Sequence, residues 1–205
     1  FMLTDVGDKG NGIVLNNPPG SPGCVVFSCY VGTNLTGSEV GIGNAASGIL
    51  ILGANNRVGD PIIGPMVVSG NGFNGISLIG GGAKLNQIVS TYIGVTKTGL
   101  ASLGNTGAGV YIVEGSFNND VGLPSSGNII SANLTHGVYI NTSNQNRITD
   151  NYIGLGGDGT TTLGNGKSGV AIFTAGSNNE LRGYNVISGN GTNGVLFTGA
   201  GVTGN

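Results

Sequence analysis

Tryptophan is absent from this 205-residue chain, histidine occurs once, cysteine twice, and only 8% of residues are charged. Each scarcity removes a class of function. A single histidine, His136, rules out a His/Cys cluster of zinc-binding spacing. It also forces any Ser-His-Asp or Cys-His arrangement through that one side chain. Cys24 and Cys29 lie five apart in the run Cys24-Val25-Val26-Phe27-Ser28-Cys29. On one extended strand their Cα atoms would be roughly 16 Å apart, beyond the reach of a disulfide. They read as small apolar residues, with a bridge across a bend as the alternative.

Positive charge is equally thin. Seven Lys/Arg are scattered from Lys9 to Arg182 and the net charge is −2. Nothing there neutralises a phosphate backbone, so no nucleic-acid partner is expected. Apolar runs fall short of the roughly 20 residues that span a bilayer as a helix, so no membrane insertion is expected either. The opening Phe1-Met2 lacks the basic and apolar segments of a signal peptide. A removed leader or a longer parent chain is the expectation. No stretch of helical length shows a 3.6-residue apolar period.

Glycine and asparagine fill the gap. With 43 Gly and 26 Asn, these two types supply about a third of the chain, against roughly 7% Gly in ordinary domains. The chain is nonetheless 38% hydrophobic with a mean hydropathy of +0.20, which argues against disorder. Gly and Asn instead suit repeated tight turns that need positive φ.

Self-similarity is the strongest signal. Gly followed by apolar-x-apolar recurs as Gly12-Ile13-Val14-Leu15, Gly48-Ile49-Leu50-Ile51, Gly75-Ile76-Ser77-Leu78 and Gly109-Val110-Tyr111-Ile112. It continues as Gly137-Val138-Tyr139-Ile140, Gly169-Val170-Ala171-Ile172 and Gly194-Val195-Leu196-Phe197. The intervals are 36, 27, 34, 28, 32 and 25 residues, so long and short coils alternate. A second signature marks the long coils: Tyr30-Val31-Gly32, Tyr92-Ile93-Gly94 and Tyr152-Ile153-Gly154 each open a Gly/Thr-rich segment ending in Gly-Asn. Each coil carries further apolar runs of three to five residues, such as Asn128-Ile129-Ile130-Ser131 and Asn146-Arg147-Ile148-Thr149. Runs this short, rich in Val and Ile, are strands.

About three strands in a coil of 23–36 residues make one rung of a single-stranded parallel β-helix, an all-β solenoid of about seven coils. Stacked rungs would place inward Val, Ile and Leu in continuous ladders, and turn asparagines in amide ladders. Residues 1–205 read as one domain without evident caps.

The phrases "GNIISANLTHGVYI", "NYIGLGGDGTTTLGN" and "YNVISGNGTNGVLF" resemble the right-handed parallel β-helix repeats of bacterial cell-surface and secreted proteins. The resemblance covers nearly the whole chain. It implies a right-handed solenoid, in keeping with the general crossover preference, and an extracellular or cell-surface location. It does not choose among lyases, tailspikes, adhesins and filaments.

The chemistry of an enzyme is hard to find. The nine acids (Asp5, Asp8, Glu39, Asp60, Glu114, Asp120, Asp150, Asp158 and Glu180) do not recur at equivalent places. One exception suggests itself: Asp60 and Asp120 follow matching Asn-Asn pairs. Asp120 and Asp150 are the pair with a chance of hydrolase spacing, about 5–9.5 Å, although solvated turn residues are the simpler reading. His136 precedes Gly137 where other coils have Ser47, Asn74, Ala108, Ser168 and Asn193, an ordinary turn position. Gly156-Gly157-Asp158-Gly159 matches a fragment of a Ca²⁺-binding repeat but occurs once. No catalytic residue, metal or cofactor is expected. A glycan-facing surface, if present, is expected on the long-coil segments 32–43, 94–104 and 154–164, through Thr33, Thr36, Thr96, Thr98, Thr160 and Thr161.

Solenoids usually cover their ends with polar caps, and none is legible here. The interval from Gly194 through Asn205 and on to Gly12 of a second copy is 11 + 12 = 23 residues, close to a short coil. The chain is therefore expected to stack head to tail with itself into a structural filament, in a heterologous, non-closing contact. Phe1, Met2, Leu3, Val195, Phe197, Val202 and Asn205 are the expected assembly ends. The alternatives are a piece of a larger β-helix adhesin and a polysaccharide-binding or lyase-like β-helix.

Overall fold

The computed structural model describes residues 10–39 and 41–205. Its elements run coil by coil. The first coil holds β1 (Ile13–Leu15), β2 (Val25–Val26) and β3 (Tyr30–Val31), and the second β4 (Ile49–Ile51), β5 (Arg57–Val58) and β6 (Met66–Val68). The third holds β7 (Ile76–Ile79), β8 (Gln87–Ile88) and β9 (Thr91–Ile93). The fourth holds β10 (Val110–Val113), β11 (Asp120–Val121) and β12 (Ile129–Ile130). The fifth holds β13 (Val138–Asn141), β14 (Arg147–Thr149) and β15 (Tyr152–Ile153). The sixth holds β16 (Val170–Phe173), β17 (Glu180–Arg182) and β18 (Val186–Ile187), and β19 (Val195–Phe197) begins a seventh.

Among the described residues every strand pairs only with its counterparts one coil below and above, and every pairing is parallel. The result is three sheets of seven, six and six strands, the architecture of a parallel β-helix. All seven Gly-apolar signatures lead into the seven-stranded sheet. No helix is present among the described residues, so none is long and apolar enough to cross a membrane.

Alternation along each strand decides what is inside. In the first sheet Val110, Val138 and Val170 stack in one inward column and Ile112, Ile140 and Ile172 in another, all fully buried. Ile88, Val121 and Ile148 do the same in the second sheet, and Ile93, Ile130 and Ile153 in the third. Each fully buried aliphatic side chain contributes about 1.5–3 kcal/mol relative to exposure. A lone rung would leave both faces of that core wet, so neighbouring rungs stabilise one another.

Three asparagine ladders run up the corners. Between the first and second sheets, the Nδ2 of Asn56, Asn86, Asn119, Asn146 and Asn179 each donates to the Oδ1 of the next coil's asparagine, ending at Asn205, at 2.9–3.1 Å. A second ladder links Asn44, Asn71, Asn105, Asn133, Asn165 and Asn190 at 2.8–3.0 Å. A shorter one joins Asn128, Asn151 and Asn185. Each ladder gives buried turn backbone a partner: Asn119 Oδ1, for instance, also accepts the backbone N–H of Asn86 at 3.0 Å.

Two sequence expectations need correction or completion. Asp60 and Asp120 are not equivalent. Asp120 pairs in register with Gln87, which pairs with Arg57, so Arg57 rather than Asp60 shares its place. The Asn-Asn pairs misled because Asp120 follows its ladder asparagine directly, whereas Asp60 lies four residues beyond Asn56 in a turn. Cys24 and Cys29 do not share one strand. A bend at Ser28, φ 52°, separates β2 from β3, and both thiols are free and exposed.

Candidate functional site

The rung opened by β19 is the most distinctive surface. Val195 and Phe197 occupy the inward register directly above Val170 and Ile172. The lower pair is fully buried, yet Val195 is 37% and Phe197 48% exposed, because no further strand among the described residues stacks on them. Leu181, Ile187 and Val202 are partly buried around the same open core. Asn205 leads its ladder, accepting from the Asn179 backbone N–H at 2.8 Å and donating to the Gly176 carbonyl at 2.9 Å. The backbone N–H groups of Asn185, Asn190 and Asn205, the leading members of the three ladders, find no acceptor among the described residues. Phe1, Met2 and Leu3, the other expected end residues, lie outside the described residues.

A second feature is the row of long-coil segments. They fall in one line along the rod and bond to each other across the short coil between them. The Lys97 N–H donates to the Gly37 carbonyl at 3.0 Å, and the Gly157 N–H to the Gly99 carbonyl at 2.9 Å. The threonines mostly serve these loops internally. Thr33 donates to the Glu39 carbonyl, Thr36 to Asn34 Oδ1, and Thr96 and Thr98 share a hydroxyl–hydroxyl bond of 2.9 Å. Asp158 accepts the Thr160 and Thr161 N–H groups and the Thr161 hydroxyl. Those bonds hold its carboxyl well below the usual carboxylate range and commit it to closing the loop.

Outside the first sheet stands an aromatic stack. Tyr111 and Tyr139 are register partners whose rings lie 5.1 Å apart and 13° from parallel. Phe173 continues the stack at 5.1 Å, and Phe73 meets Tyr111 at 6.4 Å. The inner rings spend their faces on each other, so the row works as a packing ladder rather than a platform for sugars. Its signal in the sequence was Tyr at the same place in two successive signatures.

His136 packs against this stack, with ring centroids 5.5 Å from Tyr139 and 5.9 Å from Phe173. It is buried, and its Nδ1 has no hydrogen-bond partner among the described residues. Burial first, and then the Lys167 ammonium, push its pKa below the ordinary value. A lowered folded pKa means the unfolded chain binds the proton more readily. Stability should therefore be intact above about pH 6.5 and fall as the pH drops toward the folded value. Urea midpoints from pH 7.5 to 4.5 should show this loss, and His136→Ser, the residue type at Ser47 and Ser168, should flatten it. A profile unchanged by the substitution would refute the assignment.

Among the described residues the carboxylates do not gather. Asp120 forms a bidentate pair with Arg147, Asp60 binds Arg57, and Glu180 meets Arg182. Asp150, the other half of the candidate hydrolase pair, accepts the backbone N–H groups of Ser125 and Tyr184 instead. Among the described residues no group of three His, Cys, Asp or Glu is placed to hold a metal ion.

The outer face of the third sheet stacks Tyr30, Val67, Tyr92, Ile129, Tyr152 and Val186 in register. The long-coil loops fold onto these tyrosines, with Gly99 close to the Tyr92 ring and Gly159 close to Tyr152. A groove of about 360 Å³ remains beside Tyr92, Ile129 and Tyr152, closed at its corner by Asp150 and Tyr184. Sequence reasoning missed it, because Asp150 and Tyr184 meet only through stacking of successive coils. Comparison of the chain with known protein families, curated proteins and solved structures finds no match, so the functional reading rests on the geometry described above.

Proposed function

We propose that the chain is a non-enzymatic structural protein of the right-handed, bacterial cell-surface type, whose open rung is completed by a second copy stacked head to tail in an extracellular filament. The exposure of Val195 and Phe197, in register above fully buried Val170 and Ile172, carries this reading. One further rung would bury both side chains and give acceptors to the leading ladder N–H groups, the usual requirement of a β edge. The contact is heterologous, so it propagates rather than closing.

The alternation of long and short coils favours a second reading. Long-coil loops follow β3, β9 and β15, so the coil begun by β19 is due another. Further coils of a longer β-helix adhesin fit the same rung.

Electron microscopy near neutral pH separates the two. Stacked subunits should form unbranched fibres with an axial repeat of about 33 Å, seven rungs of roughly 4.8 Å. Their loops should come in groups of three, not as an unbroken ridge repeating every two rungs. Phe197→Lys, which puts a charge on the open core, should leave monomeric rods that keep the β-rich circular dichroism of the unsubstituted protein. Short rods from the unsubstituted protein at every concentration would sink the filament reading.

A further inference from the structure

The groove on the third sheet has a chemistry that filament assembly does not use. We propose that it binds a small methylated ammonium ion. Tyr92 and Tyr152 stand on the same face two rungs apart, on either side of Ile129. Ile129 stacks in register between the two tyrosines, so the three side chains form one continuous apolar wall along the groove. Tyr184 adds a third ring at the rim and is 87% exposed.

The one charged group lining the groove is Asp150, and no Lys or Arg joins it. Its Oδ1 accepts the Tyr184 N–H at 2.7 Å and its Oδ2 the Ser125 N–H at 2.9 Å. Backbone donors thus fix the carboxylate and keep it ionised, with the Tyr184 N–H the larger influence. The rest of the lining is Tyr92, Ile129, Tyr152, the glycines Gly127 and Gly157, and the uncharged polar residues Ser125 and Asn128.

That combination selects among ligands. An anion meets Asp150 and no counter-charge. A metal ion needs several oxygen ligands, and the groove offers a single carboxylate. A methylated ammonium presents apolar methyls to the tyrosine and isoleucine wall, demands no directional hydrogen bond, and sets its positive charge beside Asp150 and the tyrosine rings. The tyrosine hydroxyls, which make no hydrogen bond among the described residues, also admit a neutral saccharide; the test below distinguishes the two.

The test is titration of the full chain with choline, followed by the tyrosine ring signals in NMR. Its uncharged isostere 3,3-dimethylbutan-1-ol and a xylose oligosaccharide serve as comparison ligands. Choline should saturate in the millimolar range and the isostere should bind at least about tenfold more weakly. Tyr184→Ala should weaken choline roughly threefold or more with an unchanged melting temperature. Asp150→Asn should weaken it at least about tenfold. Equal binding of choline and its isostere, saturation by the oligosaccharide in place of choline, or no saturation by choline would each overturn the assignment.

Discussion

Replacing Asn119 with alanine should cost about 4 kcal/mol of stability. Asn119 is fully buried. It donates to the Ala83 carbonyl and to Asn146 Oδ1, and accepts from both the backbone N–H and the Nδ2 of Asn86, all at 2.9–3.0 Å. Alanine leaves those groups short of a partner where water does not reach, at about 1–3 kcal/mol for each group fully stranded. Asn205→Ala, at the open end of the same ladder, should cost only about 1 kcal/mol, since solvent replaces part of what is lost. Urea midpoints of the two variants provide the comparison. Equal losses would mean that the ladder contributes little beyond turn preference.

The second large effect is expected at Gly59. Its φ is +91°, and a Cβ there would lie 1.7 Å from the Val89 carbonyl oxygen of the coil above. Neither backbone is free to retreat, because the Val89 N–H bonds the Val58 carbonyl at 2.9 Å. Gly59→Ala should therefore cost at least about 4 kcal/mol or prevent folding altogether. Gly80 is the control: φ is +82°, but nothing lies within 4 Å of its added Cβ. Gly80→Ala should cost only the left-handed penalty, about 1–2 kcal/mol. Thermal melts of both variants separate rung-to-rung clearance from dihedral strain. Matching shifts would show that clearance is irrelevant.

Both predictions follow from the same economy. The chain carries few charges and no tryptophan, so long-range order rests on repetition. Stacking converts one residue choice per coil into a ladder, and each ladder member has neighbours above and below. Interior members are thus more costly to change than terminal ones. The open rung at β19 is the same principle met at an edge, and it is why Val195 and Phe197 are exposed although their register is that of the core.

By itself the sequence determined the architecture. The spacing of the Gly-apolar signatures set one strand of the first sheet in every coil, and the alternation within Gly109-Val110-Tyr111-Ile112 and its counterparts settled which side chains face inward. The Tyr-led segments recur in every second coil, a period that sets them in one line along the rod. These properties are local and periodic, and a period survives folding unchanged.

Only the tertiary structure decided what lies beside what between coils of unequal length. It showed that Asp120 shares a position with Arg57 and not with Asp60, that the long-coil loops bond to one another across a short coil, and that His136 leans on an aromatic stack. It brought Asp150 and Tyr184, 34 residues apart, to the mouth of one groove. The physical reason is register. Hydrogen bonding between parallel strands fixes which residue stacks on which, and insertions in the turns shift that pairing by amounts that counting along the chain does not reveal.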